Sequence, residues 1–233
     1  MKPGDPAAVE QLFDEVAPRY DRLNDWLSLG LHRIWKRQLL RWVHPRAGDV
    51  WLDLCCGTGD LALQLARTLR PRGRVIALDA AAAPLQQARR RHRREPWLAV
   101  DWLQGDALDT GLSSGCADGA VMAYGLRNLR DPGEGLQEMR RLLRPGARAA
   151  VLDFNRLDPE LAAGRFQTFY LRNLVVPVAA ANGLRDHYAY LEESLRSFPN
   201  GQEQERLALD AGFSTARHRV LMAGQMGALL LQA

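Results

Sequence analysis

Between residues 50 and 154, short apolar runs alternate with longer stretches whose apolar residues recur every three or four positions. Val50–Leu54, Arg74–Leu78, Val100–Gln104, Asp118–Ala123 and Arg148–Phe154 read as strands. Leu61–Leu69, Pro84–Arg94 and Pro132–Leu143 read as helices, with Pro71, Gly73 and Arg144-Pro145-Gly146 as breaks. Strands that are apolar without alternation are covered on both faces. The pattern therefore predicts a parallel sheet between two helical layers.

The flanks follow other rhythms. From Phe13 to Val43 the apolar residues Phe13, Val16, Tyr20, Leu23, Leu27, Leu31, Ile34, Trp35, Leu39 and Trp42 keep helical spacing, broken at Pro18 and Gly30. Two or three short helices are predicted there. Leu161–Val178 is apolar and aromatic and predicts a helix up to Pro177. Tyr188–Phe198 and Gln202–Ala211 predict two more. Arg217–Met222 and Gly227–Gln232 predict strands joined by Ala223-Gly224-Gln225-Met226, short enough for an antiparallel hairpin.

Composition narrows the class. The 233 residues are 47% hydrophobic and 25% charged, which suits one domain with a full core. The start, MKPGDPAAVEQLFDEV, has no apolar signal-like region, and no run is long enough for a bilayer; a cytoplasmic location is expected. Net charge is +4, nearly all from arginine. That excess permits contact with nucleic acid or an anionic membrane and requires neither. Cys55, Cys56 and Cys116 lack metal-ligand spacing, so no metal is expected, and they read as reduced, buried thiols.

Three predicted strand ends carry chemistry, where open α/β sheets bind ligands. The first is Asp53-Leu54-Cys55-Cys56-Gly57-Thr58-Gly59-Asp60, running from strand through turn into helix. With Ala62, it formally fits a dinucleotide fingerprint. The second is Asp79, roughly 20 residues on, placed to accept ribose hydroxyls. The third is Asp106-Ala107, where a carboxylate and a backbone N–H can meet an adenine edge. Asp53 separates the two adenosine-bearing candidates. Its negative charge is unfavourable beside a pyrophosphate but suits the ammonium and sulfonium of S-adenosylmethionine. The terminal hairpin also favours the methyltransferase version of this sheet. A fourth strand end, Ala123-Tyr124-Gly125-Leu126-Arg127-Asn128, faces the group to be modified.

These residues, with Phe13-Asp14-Glu15-Val16-Ala17-Pro18-Arg19-Tyr20-Asp21, Leu23-Asn24-Asp25, Gly30-Leu31-His32-Arg33-Ile34-Trp35-Lys36, Tyr188–Ser194 and Phe198-Pro199, resemble the S-adenosylmethionine-dependent C-methyltransferases of ubiquinone and menaquinone biosynthesis. The resemblance covers almost the whole chain. It implies a class I methyltransferase, Rossmann-like α/β fold. Its seven-stranded, mostly parallel sheet would have a C-terminal antiparallel hairpin and an N-terminal helical cap. Within a single domain, residues 1–46 would be the cap, 47–154 the cofactor-binding core, 155–215 the substrate-side helices and 216–233 the hairpin. The Cys55-Cys56 pair resembles the branch that methylates 2-phytyl-1,4-naphthoquinol on the way to phylloquinone. Demethylmenaquinol, another prenylquinol, an RNA substrate and a nicotinamide-dependent oxidation stay open as alternatives.

The resemblance implies S-adenosylmethionine as cofactor, S-adenosylhomocysteine as product and a lipophilic quinol as substrate. Expected cofactor contacts are Asp53, Cys55, Gly57, Thr58, Gly59, Asp79, Ala80, Asp106, Ala107 and Ala123. Alanines at 80–83 leave ribose recognition resting on Asp79, and Ala123 stands where some relatives carry serine. Arg127 is expected to stabilise a quinolate and Asn128 to orient it, with Tyr20, Tyr124 or His32 relaying the proton. The plainer readings are that Arg127 caps a helix or pairs with Asp131, and that Tyr20, His32 and Trp35 pack. The N-terminal helices and Leu161–Gly183 would form an apolar lid. Arg89–Arg94 reads as a solvated helix end, with anionic lipid as the sharper reading. No nucleic-acid partner is expected; peripheral membrane contact and a homodimer stay open.

Overall fold

The computed structural model describes residues 30–157, 160, 162–170, 173 and 193–233. The predicted helices before Gly30, and residues 161, 171–172, 174–178 and 188–192 of the later predicted helices, lie outside the described residues.

The described elements are α1 (Leu31–Val43), β1 (Val50–Leu54), α2 (Asp60–Leu69), β2 (Arg74–Asp79), α3 (Ala82–His92), β3 (Val100–Gln104), β4 (Ala117–Ala123), α4 (Pro132–Leu142), β5 (Leu143–Phe154), α5 (Ala162–Tyr170), α6 (Gly201–Asp210), β6 (Thr215–Leu221) and β7 (Met226–Gln232). The sheet order is β3-β2-β1-β4-β5-β7-β6. β1 to β5 are parallel, and β7 runs antiparallel to both β5 and β6. The order reverses between β1 and β4, and a crevice opens there above the strand ends.

Side-chain alternation divides the core. On one face Leu52, Leu54, Ile76, Leu78, Met122 and Val151 pack with Leu136 and Met139 of α4 and Phe213 after α6. On the other, Trp51, Val75, Val121 and Leu152 pack with Leu39 and Val43 of α1, Leu61 and Leu65 of α2, and Leu85 of α3. Burying a side chain such as Leu52 or Leu65 is worth about 1.5–3 kcal/mol. Trp51 occupies its layer because Gly119 on β4 has no side chain; a Cβ there would strike the indole ring.

Two boundaries differ from the pattern. Arg144-Pro145-Gly146 was expected as the break that ends the helix, with the strand starting at Arg148; the helix does end there, at Leu142, but β5 already starts at Leu143. Leu143 pairs with Ala117, and the register then shifts before Gly119 meets Arg148. Proline has no N–H to donate to the ladder, so the three residues form the irregularity in an extended strand. Arg89–Arg94 is a largely solvated helix end, with Arg89, Arg90, Arg93 and Arg94 exposed, but it also makes specific contacts. Arg89 donates to the Trp102 carbonyl at 3.1 Å. Arg91 turns inward to Thr58 Oγ1 at 3.1 Å and Asp60 Oδ1 at 3.3 Å. Arg93 and Arg94 remain exposed.

Candidate active site

The crevice holds a cavity of about 400 Å3 whose walls include Cys55, Gly57, Thr58, Asp79, Ala80, Asp106, Ala107 and Ala123. The first wall is the β1–α2 turn. Gly59, at φ +79°, ends it and starts α2; a Cβ there would collide with Trp102 and Ala88, so the helix meets the sheet at a distance only glycine permits. Gly59 therefore shapes the turn without lining the cavity.

Asp79, at the end of β2, ties two loops together. One oxygen accepts the Gly57 N–H at 2.7 Å and the other the Ala81 N–H at 3.0 Å. A carboxylate has about four acceptor positions, so it retains capacity for a diol. Asp106 accepts the Leu108 N–H at 2.9 Å and fixes the turn after β3. Thr58 is buried, and its hydroxyl receives the Arg91 guanidinium.

The ends of β1 and β4 face each other across the switch point in unusual backbone. Cys55 has φ +57° and Tyr124 φ +63°. Non-glycine residues in this region cost about 1–2 kcal/mol each, and such strain clusters at functional sites. Gly125 abuts Cys55, leaving no room for a Cβ. Burial, followed by the nearby aspartates, pushes the Cys55 and Cys56 thiols well above their ordinary range. They are packing groups, not nucleophiles.

Asp53 stands behind the turn, not on the cavity wall. It is 1% exposed, and its Oδ2 has no hydrogen-bond partner among the described residues. Burial raises its pKa to about 8, with Lys36 opposing the shift. The Ala62 backbone N–H serves the carboxyl, and the unpartnered oxygen beside it suits an incoming cation.

The expected catalytic group divides. Tyr124 and Asn128 line the cavity. The Asn128 amide donates to the Tyr124 carbonyl at 2.9 Å. Arg127 does not line it. Its Nη1 donates to Asp153 Oδ1 at 2.5 Å and to the Tyr124 carbonyl at 3.1 Å, and its guanidinium lies 5.2 Å from the centre of the Phe154 ring. The partner is thus Asp153 on β5. Asp131 instead caps α4, accepting from Gly133 and Glu134. His32 is buried at the start of α1, away from the cavity wall. Tyr20 lies outside the described residues.

Lys36 and Asp60 also line the cavity and were not singled out as site residues. Lys36 Nζ donates to Asp60 Oδ2 at 3.1 Å. Burial works to raise the Asp60 carboxyl, but Lys36, Arg91 and His32 outweigh it and the net shift is downward. Their contact joins positions 24 residues apart, and no local motif announces it.

Residues 1–229 match the ubiE/COQ5 methyltransferase family. The chain belongs to this family. It is 48% identical over 229 residues to the 2-phytyl-1,4-naphtoquinone methyltransferase of Synechococcus elongatus, covering 98% of both chains. It is 46% identical over 225 residues to the protein of that name from Nostoc punctiforme, covering 96% of this chain and 97% of that one. The chloroplastic 2-phytyl-1,4-beta-naphthoquinone methyltransferase of Arabidopsis thaliana is 41% identical over 222 residues, covering 94% of this chain and 85% of the relative. Among solved structures, a SAM-dependent methyltransferase from Thermotoga maritima superposes with TM-score 0.67 at 17% identity, over 95% of this chain and 98% of that one. Phosphoethanolamine N-methyltransferase 2 of Haemonchus contortus gives 0.70 at 13% identity, over 96% of this chain and 59% of that one.

Family membership makes the chain an S-adenosylmethionine-dependent methyltransferase, and the residues present suit that cofactor. The cavity has a carboxylate at the end of β2, a glycine turn that brings backbone close, and behind it a buried carboxyl with one oxygen unpartnered among the described residues. Among the described residues no cluster could hold a metal ion, and no helix is long and apolar enough to cross a membrane.

Proposed function

We propose that this enzyme methylates the ring carbon of reduced 2-phytyl-1,4-naphthoquinone, the methylation step of phylloquinone synthesis. The observation that carries the reading is identity of 41–48% along nearly the whole chain to relatives bearing that activity in their names. The Cys55-Cys56 pair and the small, apolar cavity wall of Ala80, Ala81, Pro84, Leu108 and Leu129 are compatible with it.

S-adenosylmethionine supplies an electrophilic methyl on a sulfonium and leaves as S-adenosylhomocysteine; the reaction needs no metal. Asp79 would hold the ribose, Asp106 and Ala107 the adenine edge, and Asp53 the ammonium. Ala123 and Tyr124, ending β4, would bound the space where methyl and ring meet, at about 3–3.5 Å for productive attack. A deprotonated quinol hydroxyl activates the adjacent ring carbon, so the site must favour the quinolate. Arg127 would act here as a positioning residue: bound to Asp153, it fixes the Tyr124 carbonyl and the turn that carries Asn128. The quinol tail places the substrate in a membrane, and the enzyme would meet it at the bilayer surface.

Purified enzyme, labelled S-adenosylmethionine and chemically reduced quinones test the reading. Label is expected in phylloquinone when the phytyl naphthoquinol is supplied, and faster than in products of demethylmenaquinol. A preference for demethylmenaquinol would move the enzyme to the menaquinone branch. Label in neither would remove the quinol reading.

A further inference from the structure

Lysine is rare in this chain. Only Lys2 and Lys36 occur among 31 basic residues, and the rest are arginine. Lys36 is nevertheless turned inward from α1. Its side chain is 14% exposed, it lines the cavity, and it sits 5.9 Å from the centre of the Tyr124 ring. An ammonium is a compact charge with three donors on a flexible stem. Asp60 takes one donor at 3.1 Å.

The rest of the cavity wall is strongly anionic. Asp60, Asp79 and Asp106 line it, with Asp53 directly behind. Among the described residues the other cation on the wall, Arg130, has a side chain 63% exposed and is paired with Glu134. The amino-acid end of S-adenosylmethionine carries an ammonium and a carboxylate on one carbon. Asp53 answers only the ammonium. Without a cation beside it, the ligand carboxylate would enter a field of aspartates that repels it. Lys36 is also the main charge opposing the rise of the Asp53 pKa, so the ammonium acts on both the cavity and the carboxyl behind it.

We propose that Lys36 binds the α-carboxylate of the cofactor, forming with Asp53 a receptor for the zwitterionic amino-acid end. Asp60 is the counter-ion that holds the ammonium in place. This assignment rests on the cofactor reading and adds a residue and a charge to it.

Calorimetry on the full chain compares S-adenosylhomocysteine with methylthioadenosine, which keeps the adenosine and thioether but lacks the amino-acid end. Binding of S-adenosylhomocysteine to the unaltered protein tests the cofactor reading by itself; failure there overturns that reading and, with it, this assignment. Lys36→Met is expected to weaken S-adenosylhomocysteine by about 10- to 100-fold, the worth of a hydrogen bond to a charged group. Methylthioadenosine should stay within about twofold, because everything it touches is intact. Lys36→Arg should recover part of the loss; Lys36→Gln serves if the methionine variant folds poorly. Asp60→Asn removes the charge of the same ion pair but keeps an oxygen that accepts from Lys36, so it is expected to keep the preference for S-adenosylhomocysteine. Equal weakening of both ligands by Lys36→Met, no weakening of either, or loss of the preference in Asp60→Asn would each overturn the assignment in favour of a structural ion pair.

Discussion

The raised pKa of Asp53 makes cofactor affinity depend on pH in a calculable way. With a pKa of about 8 in the ligand-free protein, Asp53 is mostly protonated at neutral pH. An ammonium requires the carboxylate, so binding must first release the proton. The competent fraction is about 1% at pH 6, about 10% at pH 7 and about half at pH 8, and apparent affinity scales with that fraction. The dissociation constant for S-adenosylhomocysteine should therefore fall roughly ninefold from pH 6 to 7 and about fivefold from pH 7 to 8. Calorimetry in two buffers of different ionisation enthalpy should find about 0.9 protons released per ligand at pH 7. Methylthioadenosine has no amine and should show a flat profile. Asp53→Asn should weaken S-adenosylhomocysteine and flatten its profile as well. The same shift carries a sign for stability. A carboxyl whose pKa rises on folding holds more protons folded than unfolded, so its contribution declines as pH climbs from about 4 towards 8. Asp53→Asn should remove that decline. A flat profile in the unaltered protein, or a slope that survives in Asp53→Asn, would refute the reasoning.

The Arg127–Asp153 pair is buried, with side chains 9% and 3% exposed. Arg127→Met should cost about 3–5 kcal/mol by denaturant unfolding, because it strands a buried carboxylate. Arg127→Met with Asp153→Leu should cost less than that single change. Glu138 is held down to about 2, first by its hydrogen bonds to Arg141, against burial, and then by those to Thr110. Its stabilisation should be full above pH 4.5 and fade as pH falls towards 2, a loss that Glu138→Gln should abolish in an acid titration of unfolding.

Much of the site could be read from the sequence because its chemistry is local to strand ends. Asp53, Gly57, Thr58, Asp79, Asp106 and Ala123 lie where apolar runs stop, and the parallel topology gathers those stops at one edge. Arg127 shows the limit. Its sequence neighbour Asp131 was the natural partner, but Asp131 serves the N-terminus of α4, and the guanidinium reaches a carboxylate 26 residues away. Lys36 shows it again, since only the packing of α1 against β5 and the glycine turn makes it a cavity residue. The Arg144–Gly146 segment belongs to the same class: it is an irregularity inside β5, held between Leu143 and Arg148, which pair with β4, and by the Gly146 N–H donating to the Ala233 carbonyl.

By itself the sequence determined the order of strands and helices, the glycine turn, and the carboxylates at the strand ends. Each follows from a period or a spacing of a few residues. Tertiary structure decided which charges meet. It paired Arg127 with Asp153, turned Lys36 inward to Asp60, and buried Asp53 until its proton affinity changed. Charge pairing and desolvation depend on distances through space, and those exist only once the sheet has brought remote positions together.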